Sequence, residues 1–107
     1  MKRCNGTAAV RLATLALCGL CSAPLYASEA LATQHGCLNC HQVSSKMVGP
    51  SFKAIAEKYR GQAAAPTSLV NKLASGSSGV WGAVPMPPMA GIPADDSSAL
   101  IAWVLAQ

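Results

Sequence analysis

A chain of 107 residues with a formal charge of +4 has room for one small domain. Three of its eight Lys and Arg residues stand within the first eleven positions. The positive charge is therefore mostly a property of the N-terminus rather than of a binding face, and nucleic-acid binding has no support.

Lys2, Arg3 and Arg11 precede an uncharged run over residues 12–26, interrupted by Pro24 and followed by the small residues Ala27 and Ser28. This layout predicts a signal peptide over residues 1–27, cleaved after Ala27, with a domain over 28–107 exported to the periplasm. At 15 residues the run is shorter than the roughly 20 a membrane span needs, so no stable membrane insertion is expected after cleavage. Subtracting 27 from 107 leaves 80 residues. Their Lys46, Lys53, Lys58, Arg60 and Lys72 stand against Glu29, Glu57, Asp95 and Asp96, a net +1. A domain of about 80 residues is near the lower limit for a core built from side chains alone, so a further stabilising element is expected.

No sustained apolar–polar alternation is present, and the expected fold is all-α, about four short helices and a long loop. The first helix is predicted over Glu29–Gly36, with Leu31 inward. Ser51 reads as the N-cap of Phe52–Arg60, which puts Phe52, Ile55, Ala56 and Tyr59 on one face and ends at Gly61. Thr67 or Ser68 begins a helix with Leu69, Val70, Leu73 and Ala74 on a shared face, stopped by Gly76. Asp95 and Asp96 suit the positive first turn of a last helix running over Ser97–Ala106, with Leu100, Trp103 and Val104 inward. Between the last two helices, residues 76–93 form a Gly- and Pro-rich loop that also carries Val80, Trp81, Val84, Met86, Met89 and Ile92. So long and apolar a loop should wrap over something apolar.

Cys37-Leu-Asn-Cys40-His41 offers two thiols three residues apart followed by an imidazole. Structural zinc needs four ligands, and beyond this stretch the cysteines and histidines of residues 28–107 leave only His35 to share. A redox pair would sit in a βαβ context, and a Cys37–Cys40 disulfide would close too small a loop to constrain the chain. Attachment of a c-type haem fits the pattern: one helical turn presents both thiols to the vinyl groups while the next imidazole reaches the iron. A covalently held haem would also supply the missing apolar core.

With His41 on the iron, the second axial ligand is sought among His35, Met47, Met86 and Met89. His35 and Met47 are tethered close to the attachment site and cannot readily reach the far face. The loop Pro85-Met86-Pro87-Pro88-Met89 offers two thioethers, and prolines on both sides of Met86 stiffen the backbone that delivers it. Imidazole with thioether raises the iron potential and leaves no coordination position free, which suits electron transfer.

Cys37–His41, Lys46-Met-Val-Gly-Pro50, the run 76–88 and Ala102-Trp-Val-Leu105 together make residues 28–107 resemble the small bacterial class I cytochromes c of the c-551 type. That resemblance implies one covalently attached haem c with iron, thioether bonds at Cys37 and Cys40, and His41 and Met86 as metal ligands. It also implies that the Pro50 carbonyl accepts a hydrogen bond from His41 and that Trp81 bonds a haem propionate. In similar proteins an asparagine three residues after the ligand methionine can donate to its sulfur; here that position is Met89.

The expected function is a monomeric periplasmic one-electron carrier, not an enzyme, shuttling between a membrane donor complex and a terminal reductase or oxidase. The low mature charge predicts docking through an apolar rim of Met47, Val48 and Ile92, with weak salt dependence. The alternative is a haem-based ligand sensor or peroxidase-like enzyme with an openable distal site.

Overall fold

Four α-helices organise residues 25–107, the part of the chain that the computed structural model describes: α1 Leu25–Gln34, α2 Phe52–Tyr59, α3 Ala65–Ser75 and α4 Ala94–Leu105. A short 3-10 turn, Cys37–Asn39, lies between α1 and α2. Residues 1–24 of the predicted leader fall outside the described residues. No described helix is long and apolar enough to cross a membrane. The described residues contain no strand, only a single antiparallel bridge between Ser77 and Met86. The all-α expectation is met.

Helix boundaries follow local chemistry, and where they differ from the predicted ones the reason is visible. The α1 helix starts at Leu25, four residues before the predicted Glu29, and stops at Gln34 rather than Gly36. Gly36 has φ +72°, a left-handed conformation that breaks the helix and turns the chain into the 3-10 segment. The Ser51 hydroxyl caps α2 as predicted, accepting from the Ala54 N–H at 3.1 Å. The third helix begins at Ala65, two residues before Thr67, because Pro66 in its first turn has a φ already suited to a helix and needs no donor there. The α4 helix likewise starts early, at Ala94, just after Pro93, which places Asp95 and Asp96 inside its first turn where the helix dipole favours them.

Helix α4 packs against all three others. One buried cluster joins Ala32 of α1, Phe52 of α2 and Leu100, Trp103 and Val104 of α4. A second joins Leu69 and Leu73 of α3 to Ile101 of α4. Phe52 meets Trp103 edge to face, with centroids 5.1 Å apart and planes at 70°, a pairing worth about 0.5–1.5 kcal/mol beyond area burial. His35, just past α1, bonds through Nε2 to the Asp96 carboxylate in the first turn of α4 at 3.0 Å. This contact fixes the chain entering the Cys37 turn relative to the core.

Candidate haem site

The turn that carries both cysteines is closed by its own backbone. The N–H groups of Cys40 and His41 both donate to the Cys37 carbonyl, at 3.2 and 2.9 Å. Cys37 and Cys40 therefore project from one turn with His41 directly after them. The two thiols are free, Cys37 half-buried and Cys40 exposed. Burial pushes the Cys37 thiol above its ordinary value, against a backbone hydrogen bond that pulls it down.

His41 is buried and fixed on several sides. Its Nδ1 lies 2.7 Å from the Pro50 carbonyl oxygen. A carbonyl can only accept, so Nδ1 carries the proton and Nε2 is left with a free lone pair, the tautomer a metal ligand requires. The ring stacks on Phe52 with centroids 5.4 Å apart and planes at 21°. Gly49 closes in as well: a Cβ there would stand 2.4 Å from His41 Cε1 and 2.8 Å from Nδ1. Its N–H donates to the Cys40 carbonyl at 2.8 Å, which draws the 49–50 segment onto the cysteine turn. The role of Gly49 is not visible in the sequence, because only the folded approach of residue 49 to residue 41 makes a side chain crowd the imidazole.

The long loop delivers Met86 by backbone pairing. Ser77 and Met86 exchange two hydrogen bonds, 3.0 and 2.8 Å, across the base of the loop. Gly76 makes this possible: its φ is +82°, and a Cβ there would lie 2.8 Å from the Met86 carbonyl and 3.1 Å from the Pro88 nitrogen. Met89 is held differently. Its N–H donates to the Leu73 carbonyl at 2.8 Å, while its side chain, like that of Met86, packs against the cluster of Leu69, Leu73 and Ile101.

A cleft of about 640 Å³ lies among these elements, within the roughly 300–1,000 Å³ of cofactor sites. Cys37, Cys40, His41, Pro50, Trp81 and Met86 all line it, with Ile55, Leu69, Leu73, Leu100, Ile101 and Val104 supplying much of its apolar wall. Met89 and His35 do not line it. Nor does Ile92, which the sequence placed on the apolar rim; it is half-buried and packs against both core clusters. Instead Met47, Val48, Trp81 and Val84, the large apolar residues most exposed among those described, all border the cleft.

This donor set suits a group that brings its own equatorial ligands. Among the described residues no three His, Cys, Asp or Glu side chains converge on one point. What the cleft offers is an imidazole lone pair, a thioether, two thiols on one turn and an apolar wall, which fits a haem with two protein ligands and two covalent links. Lys46 and Lys72 also line the cleft and would supply positive charge for the two carboxylates of such a group, and no Asp or Glu lines it.

Similarity to known proteins agrees. A model of the cytochrome c family matches residues 27–107. The chain is 52% identical over 75 residues to cytochrome c-551 of Allochromatium vinosum, covering 70% of this chain and 80% of that one. It is 46% identical over 79 residues to cytochrome c-551 of Pseudomonas aeruginosa, covering 74% of this chain and 75% of that protein. The crystal structure of cytochrome c552 from Nitrosomonas europaea superposes with a TM-score of 0.71 at 46% identity, over 73% of this chain and 96% of its own. With this fold, cleft and kinship, the chain belongs to the cytochrome c family, as a small class I electron-transfer protein of the c-551 type that carries one covalently bound haem c.

Proposed function

We propose that this cytochrome is an exported, periplasmic, monomeric one-electron carrier whose haem iron is ligated by His41 and Met86. Cys37 and Cys40 hold the haem by thioether bonds. Pro50 fixes the proton on His41 Nδ1, and Trp81 with Lys72 and Lys46 meets the haem carboxylates. The observation that carries this reading is the double backbone pairing of Met86 with Ser77, which holds a thioether at the same cleft as the Nε2 lone pair of His41. A methionine whose backbone is held in this way would stay at hand as a ligand, which supports a carrier over an openable site. When bound, the haem supplies the one-electron redox couple; the residues around it set its ligands, exclude water and border the route by which the electron leaves.

The exit face is bordered by Met47, Val48, Trp81 and Val84, an apolar surface suited to brief contact with redox partners such as a membrane donor complex and a terminal reductase or oxidase. The test is exposure of the reduced protein to carbon monoxide at neutral pH. An unchanged spectrum is expected from the carrier, whereas rapid formation of a carbon monoxide complex would overturn the proposal in favour of a ligand sensor or peroxidase-like enzyme.

A further inference from the structure

Lys58, in the last turn of α2, does not line the cleft, yet its ammonium nitrogen stands 5.3 Å from the ring centroid of Trp81, which does. A cation over an indole face at this distance is an attractive contact. The neighbouring backbone does little to fix that indole. Trp81 is 38% exposed, and it lies between Gly79 and Gly82, both at positive φ and both with open space where a side chain would stand. The backbone bridge between Ser77 and Met86 closes the loop through main-chain atoms alone. The contact with Lys58 occupies the ring face, and the N–H at the ring edge, a donor only, stays free to bond.

The titratable groups around this part of the cleft are few. Tyr59 of α2, Lys72 of α3, Lys46 before α2, and Cys37, Cys40 and His41 line it, whereas the residues α4 contributes are Leu100, Ile101 and Val104. No protein carboxylate competes there for the indole N–H or the lysines.

We propose that Lys58 is a positioning residue for the cofactor: stacked on Trp81, it sets the plane in which the indole N–H is presented to a haem carboxylate, and its charge favours the ionised form of that carboxylate. The inference rests on the haem reading and adds a residue that lies outside the cleft wall. An ionised carboxylate close to the iron stabilises the oxidised state, so the midpoint potential falls as pH rises through its ionisation. Removing Lys58 raises the proton affinity of the carboxylate and moves that fall to higher pH.

The experiment uses the holoprotein and the variants Lys58→Met, which keeps the apolar stem, and Lys58→Arg, which keeps the cation. Two quantities are read: solvent exchange of the Trp81 indole N–H by NMR in the reduced state, assigned with Trp81→Phe, and midpoint potential against pH. Lys58→Met should speed exchange about threefold, the equivalent of an exposed cation–π contact, and move the potential profile up by about half a pH unit. Lys58→Arg should restore both. In a Trp81→Phe background, Lys58→Met should shift the profile by less than half as much. Unchanged exchange in Lys58→Met would overturn the proposal, and so would an equal shift of the profile with and without Trp81, since Lys58 would then act as a remote charge alone. Failure of the haem reading is distinguishable, because the unsubstituted protein would then lack a haem spectrum altogether.

Discussion

His41 shows how much of this site depends on single residues that do no chemistry. The spacing of Cys37, Cys40 and His41 makes haem attachment legible, because two thiols and an imidazole on one turn have few other uses. Gly49 is equally necessary and carries no such signal. It has no positive φ, so an alanine there meets no backbone penalty, and the only obstacle is the 2.4 Å approach to His41 Cε1. Gly49→Ala therefore tests that contact alone. Crowding of this kind costs about 1–3 kcal/mol, and it should appear both as a lowered unfolding midpoint and as a changed axial-ligand spectrum. A Gly49→Ala protein with the same spectrum and stability as its parent would show that the imidazole is not held by this contact. Met86 and Met89 make a similar contrast: the sequence sets Met86 apart only by the prolines on both its sides, and the structure separates the two through Ser77, which pairs with Met86, and Leu73, which holds Met89.

At the scale of elements, the four helices were readable from caps and apolar spacing, and the errors lay at their ends. Ser51 and Gly61 frame α2 by local chemistry that a sequence shows directly. The predicted starts of α3 and α4, at Thr67 or Ser68 and at Ser97, lie late: α3 already holds Pro66 in its first turn, where proline is at home, and α4 begins directly after Pro93. The bond between His35 and Asp96 could not be seen at all, since 61 residues separate them and only the packing of α1 on α4 brings them together. Both side chains are largely covered, at 15% and 29% exposed. Asp96→Asn should therefore lower stability by about 1 kcal/mol through this bond and the first-turn dipole of α4. Denaturant unfolding of the holoprotein measures it. A loss equal to that of Asp95→Asn, which lacks the His35 contact, would assign the whole effect to the dipole.

For the molecule as a whole, the long loop and the small size pose one problem with one answer. The loop was expected to cover something apolar, and it does so at a cleft also walled by α2, α3 and α4. The exposed face of that cleft is where Ile92 was misplaced. Its apolar character suits a rim as well as a core, and only the junction of the two clusters shows that it is core. Lys46 and Lys72 line the cleft and no Asp or Glu does; with the two carboxylates of a bound haem set against those two lysines, the docking face would be close to neutral. Electron-transfer rates with a partner should then change less than about threefold between low and physiological salt. A tenfold fall would point to docking through the lysines instead of through Met47, Val48, Trp81 and Val84.

The central claim is a covalently held haem with His41 and Met86 on its iron, and absorption spectra of the purified protein with Met86→Ala and Met89→Ala test it most directly. The unsubstituted oxidised protein should show the far-red sulfur-to-iron band, Met89→Ala should keep it, and Met86→Ala should lose it while the haem stays attached. A band that survives in Met86→Ala and disappears in Met89→Ala would contradict the account.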